Sequence, residues 1–190
     1  MLEVLDSPEI RKCVAPITID RYHRMIESGI FDEWQVELLG GVLVEKMSKS
    51  KLHIFVVQVL YRLLMQSCRE PDFLVQKEDP ITVGNSELEP DLSVIRGAIT
   101  HVSQTKPTSA QFVIEVAISS LVIDRAKAAD YAVAGIPEYW IVRPDVNLIE
   151  VYREPVDGIY CDIEEVSGDE TLSSVALPEF SFHLAHTLVE

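Results

Sequence analysis

An apolar segment with one acid inside it constrains this chain more than any other feature. Residues 111–118 read QFVIEVAI, a short β-branched run that predicts a buried strand. Glu115 interrupts this run, and burying its charge costs several kcal/mol unless a metal ion or a cation compensates for it. The fold must therefore enclose this strand in a core and also provide a partner for Glu115.

The composition is sufficient for such a core. The chain has 190 residues, of which 47% are hydrophobic, and this length predicts a single domain spanning residues 1–190. No apolar run approaches the roughly 18 residues that a membrane span needs, so we expect no membrane association. The acidic first 13 residues do not resemble a signal peptide, and three widely separated cysteines exclude a disulfide framework. We therefore expect a cytoplasmic protein.

The order of the predicted elements indicates an α+β (mixed α/β) domain, in which helices pack against a sheet. A hairpin is expected to turn at Gly40-Gly41, and Asp124 is expected to cap an alanine-rich helix. The predicted helices cover 18–28, 48–69 and 124–134, and the predicted strands after the hairpin cover 73–77, 91–95, 111–118, 138–142, 147–153 and 158–166.

Asp91 and Glu115 are the candidate site residues. If the strands that carry them are neighbours, the two carboxylates face one another and form a site for a hard cation such as Mg²⁺. Lys127 is expected in the first turn of the following helix, near enough to assist. The alternative is a structural ion pair between Glu115 and either Arg125 or Lys127, and the spacing alone leaves both interpretations open.

Several segments resemble one known family. They are VELLGGVLVEKMSKSKLH, EPDLSVIRG, FVIEVAISSLVIDRAKAADYAVAGIPEYWIV and a tail similar to LPEFSF. Over nearly its whole length the chain resembles the Uma-two family of restriction-endonuclease-like proteins, within the PD-(D/E)xK nuclease superfamily. The resemblance implies a restriction-endonuclease-like core with a central mixed sheet flanked by helices, preceded by an N-terminal helix and hairpin.

The resemblance also implies roles for individual residues. Asp91 and Glu115 are expected to be catalytic ligands of Mg²⁺ (or Mn²⁺). The superfamily's lysine would normally follow two positions after the acid, where this chain has Ala117, so Lys127 on the next helix is expected to replace it. Glu37 is a candidate for the outer acid of such nucleases, and Asp124 is a candidate for orienting Lys127.

This family predicts a Mg²⁺-dependent endonuclease that hydrolyses phosphodiester bonds of DNA, commonly as a homodimer. The charge argues for an alternative, because the net charge is −15 and the last 37 residues carry nine acids without Lys or Arg. Nucleic-acid binding normally needs clustered cations. The alternative is therefore a catalytically silent nuclease fold that serves as a binding or interaction module. If DNA does bind, Arg96, Lys106 and Arg125 are the expected cations.

Overall fold

The computed structural model describes residues 12–69, 71–102 and 105–189, together with Glu9. Of the first 13 residues, which are not expected to be a signal peptide, only Glu9, Lys12 and Cys13 lie within the described residues. None of the described helices is both long and apolar enough to cross a membrane.

The N-terminal elements match the expected helix and hairpin. Helix α1 (Ile19–Glu27) is capped by Thr18, whose hydroxyl accepts a hydrogen bond from the Arg21 backbone N–H. Strands β1 (Val36–Leu39) and β2 (Val42–Glu45) form the hairpin. Gly40 and Gly41 both have positive φ angles, which is why glycines occupy this turn.

The middle of the chain contains one long helix and most of the strands. Helix α2 (Lys51–Ser67) begins after Ser50, whose hydroxyl caps it, and it is shorter at both ends than expected. Four strands and a short helix follow it: β3 (Phe73–Gln76), β4 (Ile81–Val83), β5 (Ser86–Leu88), β6 (Leu92–Arg96) and α3 (Ile99–Val102).

The C-terminal half starts with a β-α-β unit. Strand β7 (Phe112–Val116) and strand β8 (Glu138–Arg143) run parallel, and helix α4 (Leu121–Val133) connects them. The remaining elements are β9 (Leu148–Val156), β10 (Ile159–Ser167), β11 (Leu172–Ser173), β12 (Ser181–Phe182) and α5 (Leu184–Val189).

These strands build a central mixed sheet in the order β10-β9-β8-β7-β6-β3, which confirms the expected fold class. Only the β7–β8 pair is parallel among the described strands of this sheet, and β8, β9 and β10 are consecutive antiparallel strands. A second sheet has the order β2-β1-β5-β4, and the β4–β5 pair within it was not predicted.

Alternation along β7 decides where Glu115 points. Phe112, Ile114 and Val116 face one side of the central sheet and pack with α2 in one core cluster. Val113 and Ala117 belong to the second cluster on the opposite side, which includes residues of α4 and of the smaller sheet. Glu115 shares this second side, so it lies where α4 and the smaller sheet cover the central sheet.

Candidate functional site

Asp91 and Glu115 lie next to one another at the boundary between β6 and β7. Asp91 directly precedes β6, which pairs with β7 in the register Leu92 to Ile114. The Asp91 backbone N–H donates to Glu115 Oε2 at 3.0 Å, and the Val116 N–H donates to Asp91 Oδ2 at 2.8 Å. Both side chains are buried. The two acids therefore lie side by side, although Asp91 lies just before its strand and not within it as the sequence had predicted.

Lys127 extends from α4 into this acidic group. Its Nζ lies 3.0 Å from Glu115 Oε1, 2.9 Å from Glu37 Oε1 and 3.7 Å from Asp124 Oδ1. The lysine is only 5% exposed. One buried ammonium group is thus shared among three carboxylates.

The expected role of Asp124 as a helix cap is wrong. Helix α4 begins three residues earlier, at Leu121, and the Asp124 N–H already donates to the Ser120 carbonyl at 3.0 Å. The Asp124 carboxylate accepts from the Ser120 hydroxyl at 2.5 Å and faces Lys127. Lys127 consequently lies in the second turn of the helix and not in the first.

Glu37 reaches the same cluster from the smaller sheet. It is the second residue of β1, and its Oε2 accepts from the Glu89 backbone N–H at 3.3 Å while Oε1 contacts Lys127. The structure therefore brings Glu37, Asp91, Glu115, Asp124 and Lys127 together, although they come from different elements.

A cleft of about 610 Å³ opens over this cluster. Its lining includes seven acidic side chains and three lysines, so it carries a formal net charge of −4 with His53 neutral. Apolar side chains, among them Ile26, Phe31, Trp34 and Met47, also line it. The cleft is therefore an acidic site bordered by apolar side chains.

The comparisons with known proteins agree with this architecture. A family model named Uma2 and described as "Putative restriction endonuclease" matches residues 19–185. The chain belongs to the Uma2 family. Among solved structures, a putative nuclease belonging to DUF820 from Anabaena variabilis is similar in fold, with a TM-score of 0.71. The match covers 92% of this chain and 98% of that one at 16% identity, and no curated protein matches the chain significantly.

Burial sets the electrostatics of the cluster in this Uma2 protein. Burial raises the pKa of Glu115 to about 8 and that of Asp124 to about 6, although the charge of Lys127 acts against both shifts. Burial alone would lower the pKa of Lys127, but Glu115, Glu37 and Asp124 together raise it above its ordinary value. The ammonium group therefore stays protonated, while the acids compete for it.

His53 joins the cluster from the start of α2. Its Nδ1 lies 2.8 Å from the Val116 carbonyl oxygen, and its Nε2 lies 3.0 Å from Asp91 Oδ1. Because both partners accept hydrogen bonds, only the imidazolium can donate to both. Burial alone would lower the pKa of His53, but the hydrogen bond to Asp91 and the charge of that residue raise it.

Tyr131 is a member of the site that sequence reasoning missed. Its buried hydroxyl donates to Glu115 Oε1 at 3.1 Å, and Lys127 contacts the same oxygen. The signal was present in the sequence, because residues four apart on a helix share a face. Tyr131 follows Lys127 by four positions on α4.

The cations expected near the site lie elsewhere. Arg96 bonds to Gln111, Lys106 to Glu87, and Arg125 to Glu150. The lysines that line the cleft are instead Lys46, Lys49 and Lys127. Lys46 pairs with Glu89, and Lys49 lies 2.9 Å from Glu78 and 3.6 Å from Asp91.

Proposed function

We propose that this chain is a Mg²⁺- or Mn²⁺-dependent endonuclease that hydrolyses phosphodiester bonds of DNA in the cytoplasm. One observation carries the proposal. Two buried carboxylates, Asp91 and Glu115, meet beside the protonated amine of Lys127 below an open cleft. This is the combination of acids and lysine that the PD-(D/E)xK pattern uses, with the lysine supplied by the following helix.

The donor chemistry fits a hard divalent cation. Asp91 and Glu115 offer carboxylate oxygens, and Val116 offers a carbonyl oxygen in the same place. Among the described residues no group of three or more His, Cys, Asp or Glu side chains is arranged to hold a metal ion. Mg²⁺ does not require such a group, because it commonly binds one or two protein carboxylates and retains its waters. When bound, it lowers the pKa of a water and polarises a phosphoryl oxygen.

Residues of the chain perform the remaining tasks. Lys127 is positioned to stabilise charge that develops on a phosphate oxygen or to orient the attacking hydroxide. Glu37 and Asp124 hold its amine in place, while Tyr131 fixes the orientation of Glu115 by its hydrogen bond to Oε1. Glu37 therefore acts through Lys127 and does not need to touch the substrate.

A specific observation favours the alternative of a catalytically silent binding module. The His53 ring occupies both Asp91 Oδ1 and the Val116 carbonyl, and protein donors engage both oxygens of Glu115. A metal ion that used Asp91 Oδ1 and the carbonyl would have to displace the imidazole. If it cannot do so, the cluster is a satisfied structural network without catalytic chemistry.

Metal titration separates the two functions. Calorimetry with Mn²⁺ on the full chain should show one site that disappears in Asp91→Asn and Glu115→Gln and becomes tighter in His53→Ala. Glu45→Gln is the control, because Glu45 is an exposed acid of the same cleft. Wild-type protein that binds no Mn²⁺ would support the silent module.

Cleavage of supercoiled plasmid is the second measurement. Asp91→Asn and Glu115→Gln should each lower the metal-dependent rate by about 10²–10³, the scale for one pre-organised electrostatic group. Cleavage of a small phosphodiester but not of DNA would redirect the proposal to another substrate. Sedimentation equilibrium tests the homodimer that we propose from the family resemblance.

A further inference from the structure

We infer that Trp34 is a stacking platform for an unpaired nucleobase, so that the substrate class is single-stranded or locally unpaired nucleic acid. This inference rests on the proposed function, because it identifies what the same cleft binds. Trp34 is 65% exposed and lines the cleft that contains Asp91, Glu115 and Lys127. The other tryptophan, Trp140, is fully buried in the core.

The charged side chains of the cleft give little attraction for the phosphates of a nucleic acid. Seven acids and only three lysines line the cleft, and each of these lysines is already paired with at least one acid. Duplex binding obtains most of its affinity from cations that neutralise phosphates. The side chains of this cleft do not supply that contribution, so apart from a bound metal ion the affinity for a polyanion has to come from a contact that does not depend on charge.

Stacking provides that contact. A base on an aromatic ring contributes the equivalent of about 5- to 150-fold in affinity and tolerates any sequence, because every base has a π face. The base must be unpaired to expose this face to a side chain. An exposed tryptophan beside an acidic catalytic cluster therefore selects for unpaired over duplex substrate.

The local backbone holds Trp34 in a defined position. Its N–H donates to the Phe31 carbonyl at 2.9 Å, which closes a turn after α1. The next residue, Gln35, accepts a hydrogen bond from the Lys46 N–H at 2.8 Å, which extends the β1–β2 ladder up to the neighbour of Trp34. The segment that delivers Glu37 to Lys127 thus begins with Trp34, and three residues of chain place the Cα atoms of Trp34 and Glu37 at most about 11 Å apart.

Other apolar side chains line the same cleft as Trp34 and form an apolar wall. Ile26, Phe31 and Met47 line the same cleft, and the Phe31 ring centroid lies 5.9 Å from that of the buried Tyr22. The wall offers apolar surface for the rest of a stacked base. The acids lie deep in the cleft, and the aromatic side chains lie at its border. The phosphate and the nucleobase of a bound nucleotide therefore have separate places.

Tryptophan fluorescence gives a readout that does not depend on cleavage. Three probes are titrated into the full chain in EDTA and again in Mg²⁺: a twelve-nucleotide oligothymidylate, a matched duplex, and an abasic oligomer of equal charge. The oligothymidylate should quench the exposed Trp34, whereas the duplex and the abasic oligomer should bind at least tenfold more weakly. Equal binding of all three probes would overturn the inference.

Variants assign the effect to the ring. Trp34→Ala should weaken oligothymidylate binding, measured by anisotropy, by about 5- to 150-fold, and Trp34→Phe should restore most of it. The salt dependence should stay unchanged, since no phosphate contact is lost. Ile159→Ala is the matched control, because Ile159 is 63% exposed but lies outside the cleft lining.

Failure of the inference is distinguishable from failure of the proposed function. If Trp34→Ala binds the probe like the wild type while plasmid cleavage still requires Asp91, the inference is wrong and the nuclease proposal stands. If the probe stacks on Trp34 but no metal-dependent cleavage occurs, the binding site is real and the nuclease proposal fails. If Trp34→Ala instead dissociates a dimer, the ring is an interface residue and the inference is overturned.

Discussion

Two cations on α4, only two positions apart, show how differently this fold treats buried acids. Arg125 lies on the outer side and makes two hydrogen bonds to Glu150, which also receives bonds from Arg143 and Tyr152. Lys127 faces the cleft, where a single ammonium group serves Glu115, Glu37 and Asp124. Donors are in excess in the first cluster, and acids are in excess in the second.

The pKa directions express the same contrast. Burial alone would raise the pKa of Glu150, but the hydrogen bonds from Arg125 and Tyr152 lower it below its ordinary value. Burial raises the pKa of Glu115 to about 8 because Lys127 alone does not compensate for its surroundings. A buried acid therefore does not by itself indicate a site. A buried acid whose pKa stays raised beside an open cleft does, because its surroundings leave room for a further cation.

Of the substitutions that test this contrast, replacing Lys127 should cause the largest loss of stability and activity. Among the described residues, Lys127 is the only cation that pairs with the Glu115, Glu37 and Asp124 carboxylates. Lys127→Met removes it, and breaking such a buried pair costs about 3–5 kcal/mol in the free energy of unfolding. We also expect the cleavage rate to fall by about 10²–10³. Urea denaturation and plasmid cleavage measure the two effects.

The two readouts must be compared at saturating metal and with folded protein. Full activity in Lys127→Met would leave the lysine a purely structural role. Lys127→Arg keeps the charge and should recover more stability than activity, because the larger guanidinium does not reproduce the position of the amine.

The fold could be predicted from the sequence where local signals were strong. The hairpin at Gly40-Gly41 and the β-α-β unit around α4 have clear turn residues or long apolar runs. The β4–β5 hairpin was missed, because its strands have three residues each and are stabilised by long-range pairing of Leu38 with Glu87. Such pairing leaves no periodic pattern in the sequence.

The distinction between local sequence signals and long-range contacts also applies to the site. Asp91, Glu115 and Lys127 could be proposed from an acid in an apolar strand and from a family pattern. The position of His53 could not, because it depends on contacts with Asp91 and Val116, 38 and 63 residues away in sequence. Asp124 was assigned to the wrong helix position because Leu121, Val122 and Ile123 carry no start signal, yet they form the first turn.

The pH dependence of stability should differ between the two clusters. Glu115 and Asp124 have pKa values raised to about 8 and about 6, so the folded state holds protons that the unfolded state has released. The free energy of unfolding should therefore fall between about pH 5 and pH 8, by up to about 1.4 kcal/mol per pH unit for each such proton. The raised pKa of His53 acts in the same direction, because its contribution is lost as the pH rises.

Urea denaturation from pH 4 to pH 8 checks this slope. Glu115→Gln should reduce the slope of the curve between pH 6 and pH 8, where the second half of the Asp124 titration and His53 account for the rest. Glu150→Gln should leave that part unchanged, since the lowered pKa of Glu150 affects stability only at acid pH, where its contribution is lost as the pH falls. Equal effects of the two variants on the slope above pH 6 would refute the contrast between the clusters.

The smallest effect should come from the outer cation. Arg125 is half-exposed, with 49% of its side chain accessible, and Glu150 retains Arg143 and Tyr152 when Arg125 is replaced. Arg125→Met should therefore cost about 1 kcal/mol in the free energy of unfolding, because the arginine is solvent-accessible and the buried Glu150 keeps its other donors. The same denaturation and cleavage assays apply, and the cleavage rate should match the wild type. A large loss of activity would mean that Arg125 contacts the substrate, and that the two sides of α4 do not divide structure from function as their acids suggest.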